Sequence, residues 1–330
     1  MTISKQKLLN FLNGVQVNSG NEISLTGQLN FKDNYIYQFN NEIVIYNKFF
    51  DESLNDNFSL SLQKLTAIIS KLKDDNLELN IEDNIKLISK KSEIEFTKQE
   101  IKQEFTFKDN FEWQDLPENF LTGIEFAEKI IDENNTRFLP NIFIDNDKIV
   151  STNGRVLIIY NLHKEFNKFF LKKLQIDLLL KFKVKKYCIE KNLIYFLADD
   201  TIIYFNYLTD CNYPDYTKIQ LENEKEINFL DKLNLNDIDV NVSILDSESK
   251  VLKIEIEKNK IKIENSNIGI NIKTKLDKEN EIENIKFSLN ADYLISFLKS
   301  DFGNDYKTYI SDSMICFQNN DVKFITMLME

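Results

Sequence analysis

The sequence predicts an α+β protein of three similar domains, each holding two helix-plus-β-meander units. Two observations carry this expectation. Segments of alternating apolar and polar residues, broken by short polar turns, recur along the whole chain, which is the period-two signature of antiparallel strands. Stretches with apolar residues at helical spacing precede most of them. Self-similarity of this kind decides the architecture before any single motif does.

In chain order, the first unit is a helix in "SKQKLLNFLNGV" (4–15) and a meander in "NFKDNYIYQFNNEIVIY" (30–46). The second is a helical stretch "FSLSLQKLTAIISKLK" (58–73) with the meander "LNIEDNIKLISKKSEIEF" (79–96). A connector, "FKDNFEWQDLPENF", with Pro117 and several acidic residues, marks a boundary near residue 110. The third unit is "LTGIEFAEKIIDEN" (121–134) with "FIDNDKIVSTNGRVLIIY" (143–160). The fourth is a helix within "HKEFNKFFLKKLQIDLLLK" (163–181) with "YCIEKNLIYFLADDTIIYF" (187–205).

A second boundary falls near 221, just past "NYPDY", which holds Pro214, one of only three prolines. The fifth unit is a weaker helix, "EINFLDKLNL" (226–235), with "EIEKNKIKIENSNIGINI" (255–272). The sixth is "FSLNADYLISFLKS" (287–300) with "YISDSMICFQNNDVKFI" (309–325). Aligned on "FSL", the second and sixth helices place Leu65, Ile68 and Ile69 against Leu294, Phe297 and Leu298. The expected domains are 1–110, 111–221 and 222–330.

Composition narrows the function. The hydrophobic content of 42% suits a chain with real cores. No stretch approaches the roughly 18 apolar residues of a membrane span, and the N-terminus lacks the apolar core of a secretory signal. Three scattered cysteines without a CxxC pair suit a reducing cytoplasm and argue against disulfides or zinc. Seven glycines form no phosphate loop, and no nucleophile–base or metal-ligand spacing occurs. The lone His163 is expected at the start of a lysine-rich helix, and Asp199-Asp200 in a hairpin turn. No enzyme activity, cofactor or metal is therefore expected. The formal charge is −12, yet residues 161–191 hold nine lysines against three acidic residues. Such segregation is the mark either of one basic face on an acidic body or of a solvated lysine-rich helix.

Four local matches then give the chain a family likeness. "TRFLPNIFI" (136–144), "STNGRVL" (151–157), "NYPDYTKI" (212–219) and "KFITMLME" (323–330) stand in the right order and spacing. Together they resemble the bacterial sliding clamp, the beta subunit of DNA polymerase III, or a phage version of it. The chain departs from that pattern at Pro140, Asn153, Arg155 and Leu328.

The resemblance implies a head-to-tail homodimer ring of clamp domains, helices inside and sheets outside, around sequence-independent double-stranded DNA. A replicative DNA polymerase and a clamp loader would share one peptide pocket, in the cytoplasm and away from any membrane. A sliding contact needs loose, sequence-blind cations. Lys164, Lys168 and Lys172 are spaced as one helical stripe, flanked by Lys173. Lys64 and Lys71 are expected on one face of the second helix, Lys5 and Lys7 on the first, and Lys129 on the third, with Arg137 after it. The pocket residues carried over are Leu139, Thr152, Gly154, Arg155, Leu157, Pro214, Ile219, Met327 and Met329. Methionines offer adaptable apolar surface for several partners. A repetitive β-rich structural protein of a phage particle would also explain the repeats and acidity. It would need neither the lysine stripe nor the proline turn and methionine tail together.

Overall fold

The computed structural model describes residues 1–16, 25, 27–131, 141–209, 213–227, 250–265, 270–275, 284–298 and 306–329. A module recurs six times through them: a short strand, then three antiparallel strands, with a helix between the two described in five of the six. The first is β1 (Thr2–Ser4), α1 (Lys5–Val15), β2 (Gln28–Lys32), β3 (Tyr35–Phe39) and β4 (Ile43–Lys48). The second is β5 (Phe58–Ser61), α2 (Leu62–Ile69), β6 (Asn76–Ile81), β7 (Ile85–Ile88) and β8 (Glu93–Phe96). The third is β9 (Gln114–Asp115), α3 (Phe120–Glu128), β10 (Asn141–Asp145), β11 (Lys148–Thr152) and β12 (Val156–Asn161). The fourth is β13 (Phe169–Lys172), α4 (Lys173–Phe182), β14 (Lys186–Glu190), β15 (Leu193–Ala198) and β16 (Thr201–Asn206). The fifth has β17 (Lys225–Ile227), β18 (Val251–Ile256), β19 (Lys260–Asn265) and β20 (Ile270–Lys275). The sixth is β21 (Ile285–Asn290), α5 (Ala291–Leu298), β22 (Lys307–Ile310), β23 (Met314–Gln318) and β24 (Val322–Met327). All six expected meanders are present.

Each leading strand leaves its own module. β1 joins the edge of β6, β5 that of β2, β9 that of β14, β13 that of β10, β17 that of β22 and β21 that of β18. Modules are thus exchanged in pairs, with Ile3 opposite Leu77 and Leu29 opposite Leu60 in the first pair. Two further junctions fuse meanders into eight-stranded sheets, β4 to β16 and β12 to β24. The two remaining sheets have four strands and end on β8 and β20.

By compactness the chain forms two units, Met1–Leu121 with Lys172–Thr209, and Thr122–Leu171 with Asp210–Glu330. In the first unit α1 packs against both α2 and α4. The rings of Phe11 and Phe182 lie 6.3 Å apart, and Gln16 Nε2 donates to Thr66 Oγ1 at 2.8 Å. One face of its eight-stranded sheet carries Tyr35, Tyr37, Phe39, Val44 and Tyr46. The connector after β8 lies over that face. Phe107 stacks within about 5 Å of Tyr35, Tyr37 and Tyr46. The hydroxyls of Tyr37 and Tyr46 donate to the carbonyls of Gln103 (2.9 Å) and Lys108 (2.8 Å). The acidic connector expected from the sequence is therefore an aromatic strap.

Three helix expectations are corrected. "FSLS" and "FSLN" are strands that pair before their helices begin, with Ser61 as the N-cap of α2. Lys71 consequently lies past the end of α2. The helix expected from 163 starts only at Lys173. Leu162 and Phe166 donate backbone hydrogen bonds to the β10–β11 turn, at Asp147 O (2.7 Å) and Asn146 O (2.9 Å). Phe169–Lys172 then pairs with β10. His163 accordingly sits in a turn at φ 55°, not on a helix. The weak helix at 226–235 begins as β17; its residues 228–235 lie outside the described set, as do 132–134 of the third helix.

The close approach of α1 and α4 yields a prediction. A Cβ at Gly14 would collide with the far edge of the Phe182 ring. Gly14→Ala gains about 1 kcal/mol of helix propensity, but overpacking costs about 1–3 kcal/mol. Urea denaturation should therefore show a net loss of stability. Phe182→Leu in the same chain should recover most of it, a coupling that a double-mutant cycle reads directly.

Candidate functional site

The second unit holds a cavity of about 430 Å³ beside the β12–β24 junction. Its apolar floor is Leu157 and Ile325, which are opposite each other in that ladder and only 3% exposed. Val156, Pro214, Met314 and Ile219 continue the apolar wall, and Met327 completes it. Only three large apolar side chains are exposed among the described residues, and Ile219 (36%) and Met327 (49%) are two of them. Exposed apolar groups gathered at one cavity mark a binding surface more than scattered ones do.

Local chemistry holds each wall. Asn153 Oδ1 accepts the N–H groups of Arg155 (3.0 Å) and Val156 (2.9 Å). Thr152 Oγ1 accepts from Gly154 N at 3.1 Å and donates to Val156 O at 2.7 Å. Gly154 has φ 84°, a conformation a side chain would strain. Met327 N donates to Arg155 O at 2.9 Å, tying the C-terminal strand to this turn.

The other wall is the second connector. Tyr213 and Tyr216 flank Pro214 and pin it down: Tyr213 Oη donates to Val150 O (3.2 Å) and Tyr216 Oη to Asp145 Oδ2 (2.7 Å). The Tyr213 ring also lies 5.3 Å from that of Phe143. The aromatic flanks are thus anchors, and Pro214 is the rigid edge between them.

Seven of the nine residues expected in a pocket line this cavity: Thr152, Gly154, Arg155, Leu157, Pro214, Ile219 and Met327. Met329 is not in the lining; its N–H pairs with Ser288 O at 2.9 Å. Leu139 and Arg137 lie outside the described residues. Tyr216, Lys218, Gln220, Ser313 and Met314 also line the cavity, although the sequence did not point to them. Ser313 and Met314 arrive through the pairing of β23 with β24, where Met314 stands opposite Met327, a long-range pairing without a local signal.

The expected lysines are not brought together. Lys164, Lys168 and Lys172 lie on no common helix. Lys168 is 2.8 Å from Asp145, Lys172 2.7 Å from Glu42 and Lys173 2.6 Å from Asp177. Lys129 follows α3, which carries Glu125 and Glu128, and sits 5.7 Å from the Phe126 ring centroid. Lys7 pairs with Asp200 at 3.2 Å.

The first unit presents a different basic surface. α1 and α2 contain no acidic residue and pack side by side. Lys5 donates to the Leu72 carbonyl, whereas Lys64 and Lys71 are exposed. Lys181 on the adjoining α4 donates to the Gln16 carbonyl, a placement with no signal in the sequence. Among the described residues, no group of His, Cys, Asp and Glu is arranged to hold a metal, and no helix is long and apolar enough to cross a membrane.

Asp145 offers a pH test of the connector. Burial alone would raise its carboxyl, but hydrogen bonds from Lys168 and Tyr216 outweigh that and hold it below its usual range. A depressed folded pKa stabilises above the unfolded value, about 4, and the benefit is lost as pH falls through the folded pKa. Tyrosine fluorescence should report loosening of the connector below about pH 4. Asp145→Asn should flatten that pH dependence.

No protein-family model matches the chain, and no curated protein matches it in sequence. Solved structures match it throughout. The Helicobacter pylori beta clamp, crystallised with a DNA ligase peptide, is 19% identical with a TM-score of 0.80 over 100% of both chains. The DNA polymerase III subunit beta from Pseudomonas aeruginosa is 15% identical, with a TM-score of 0.81 over 100% of this chain and 99% of that one. At such identities the likeness is one of backbone architecture. The six exchanged modules of this chain have the fold of the DNA polymerase III beta-subunit sliding clamps.

Proposed function

We propose that the protein is a sliding clamp: a replication processivity factor that encircles duplex DNA and tethers a polymerase through the cavity at the β12–β24 junction. The observation that carries this reading is the full-length match in fold to the beta clamps. In this reading 1–110, 111–221 and 222–330 are the three clamp domains, each one exchanged pair of modules. The protein acts in the cytoplasm as a tether and not as an enzyme, with a clamp loader placing it on DNA.

Ring closure has a physical candidate. Among the described residues, β8 and β20 end their sheets with unpaired edges, which are templates for a further strand. Their sequences are "EIEF" and "INIKTK", so the first offers Glu93 and Glu95 and the second Lys273 and Lys275. A head-to-tail dimer pairs β8 of one copy with β20 of the next, a strand sequence with two Glu against one with two Lys. Sequence-blind DNA contact falls to the acid-free α1–α2 layer with Lys181 of α4, in place of the dispersed 164–173 lysines. There Lys64 and Lys71 face phosphate as loose point charges.

Light scattering should find a dimer. Replacing Glu93 and Glu95 by Lys should give monomers, and adding Lys273→Glu and Lys275→Glu to the same chain should restore the dimer. A dimer unaffected by the first change would place the interface elsewhere.

Loaded on nicked circular duplex DNA, the protein should be retained, then released when the circle is cut. Retention on linear DNA with free ends would count against encirclement. Lys64→Gln with Lys71→Gln should shorten retention and lower the log–log salt slope by about 0.9 for each phosphate no longer neutralised.

In the cavity, Met327→Ala with Pro214→Ala should weaken binding of a polymerase tail peptide, measured by fluorescence anisotropy, with dimerisation intact. Loss of the dimer would instead give these residues a structural role.

A further inference from the structure

The β4–β16 joint of the first unit is covered by the connector between β8 and β9. Over residues 101–109 the connector forms no strand or helix and adds nothing to the sheet ladder. It is held as a bound peptide is held. Phe105 and Phe107, two residues apart, insert into the aromatic face. The Phe105 ring lies 5.8 Å from that of Tyr37 and 5.1 Å from that of Phe39. The Phe107 ring lies 4.8 Å from both Tyr35 and Tyr46. The backbone is gripped on either side of this pair, at Gln103 O by Tyr37 Oη and at Lys108 O by Tyr46 Oη. Next along, Asp109 accepts from Tyr35 Oη and lies 3.4 Å from Lys48 Nζ. Burial raises all three tyrosine hydroxyls above their ordinary pKa, so they stay protonated donors.

The surface under the connector is complete without it. Tyr35 and Tyr37 stand on β3 and Tyr46 on β4, strands paired by their own ladders to β2, to each other and to β16. The ion pairs Lys32–Glu104 and Lys108–Glu190 are partly exposed and weak, which leaves the two phenylalanines as anchors. The connector is tied at Gln99, which bridges to Ser59, and at β9, which pairs with β14. Such tethering keeps it at an effective concentration on the order of millimolar.

We propose that the β4–β16 joint is a second peptide-binding surface, filled in cis by the chain's own residues 101–109. Its ligand class is an extended segment with aromatic residues at alternate positions and a carboxylate just beyond them. A segment of that class supplied by another molecule enters only when the connector lifts.

The test uses the full-length chain with Phe105→Ala and Phe107→Ala, its fold checked by circular dichroism. The probe is a fluorescent peptide of residues 100–110, EIKQEFTFKDN. Occupancy in cis divides the apparent affinity by the open fraction, so anisotropy should show the probe binding the variant at least about tenfold tighter than the unaltered chain. A probe with alanine at both phenylalanines should not bind. Adding Met327→Ala and Pro214→Ala to the variant should leave binding unchanged. If the double alanine variant does not fold, Phe107→Leu takes its place with the same readings. No binding to a folded variant makes the connector a fixed part of the core and overturns the proposal. Equal affinity for variant and unaltered chain, or loss of binding with the Met327 and Pro214 changes, puts the probe elsewhere and overturns it too. Equal binding of the alanine probe overturns the aromatic recognition.

Discussion

The architecture depends on one constraint: a strand edge left unpaired must find a partner or be covered. A three-stranded meander has two such edges. One is closed by a short strand borrowed from the companion module, as β5 closes β2 and β1 closes β6. In four of the six the other is closed by a neighbouring pair, as β4 meets β16 and β12 meets β24, whereas β8 and β20 end their sheets among the described residues. The site follows from this. Leu157 and Ile325 face each other because two meanders were joined edge to edge, and the cavity sits on that joint.

The two eight-stranded sheets share this joint but treat it differently. In the first, the residues equivalent in register to Leu157 and Ile325 are Val44 and Tyr204. Phe105 and Phe107 of the first connector pack on the cluster that contains them. In the second, the connector is fastened by Tyr213 and Tyr216 and leaves the joint open beside Pro214. One device, an aromatic segment laid across a sheet, covers a surface in one case and frames a cavity in the other.

Much of this was legible in the sequence where the signal is local. Period-two alternation and Asn or Asp turns located every meander. The turn asparagines Asn40, Asn153 and Asn319 each accept two backbone N–H groups, one from the turn and one from the first residue of the strand that follows. Phe-Phe-Leu-Lys at 169–172 misled because a continuous apolar run satisfies helix and strand periods alike. Its strand state is decided by β10, far from it in sequence. Of the residues that line the cavity, motif likeness supplied Thr152, Pro214 and Met327. Ser313 and Gln220 were invisible because their places follow from tertiary packing. The lysine stripe failed for the same reason: spacing of four means a common face only if the helix exists.

The borrowed leading strands also set the order in which the chain can fold. β1 leaves the ribosome well before its partner β6, which is made only after the whole first meander, with Ile3 waiting for Leu77. Neither module of a pair has a complete sheet until the other is present. The smallest cooperative piece is thus the pair, closed by pairings distant in sequence. That topology favours slow, all-or-none assembly over stepwise growth. It also makes each half-finished pair a transiently exposed edge, which a cell must shield until the second helix and meander arrive.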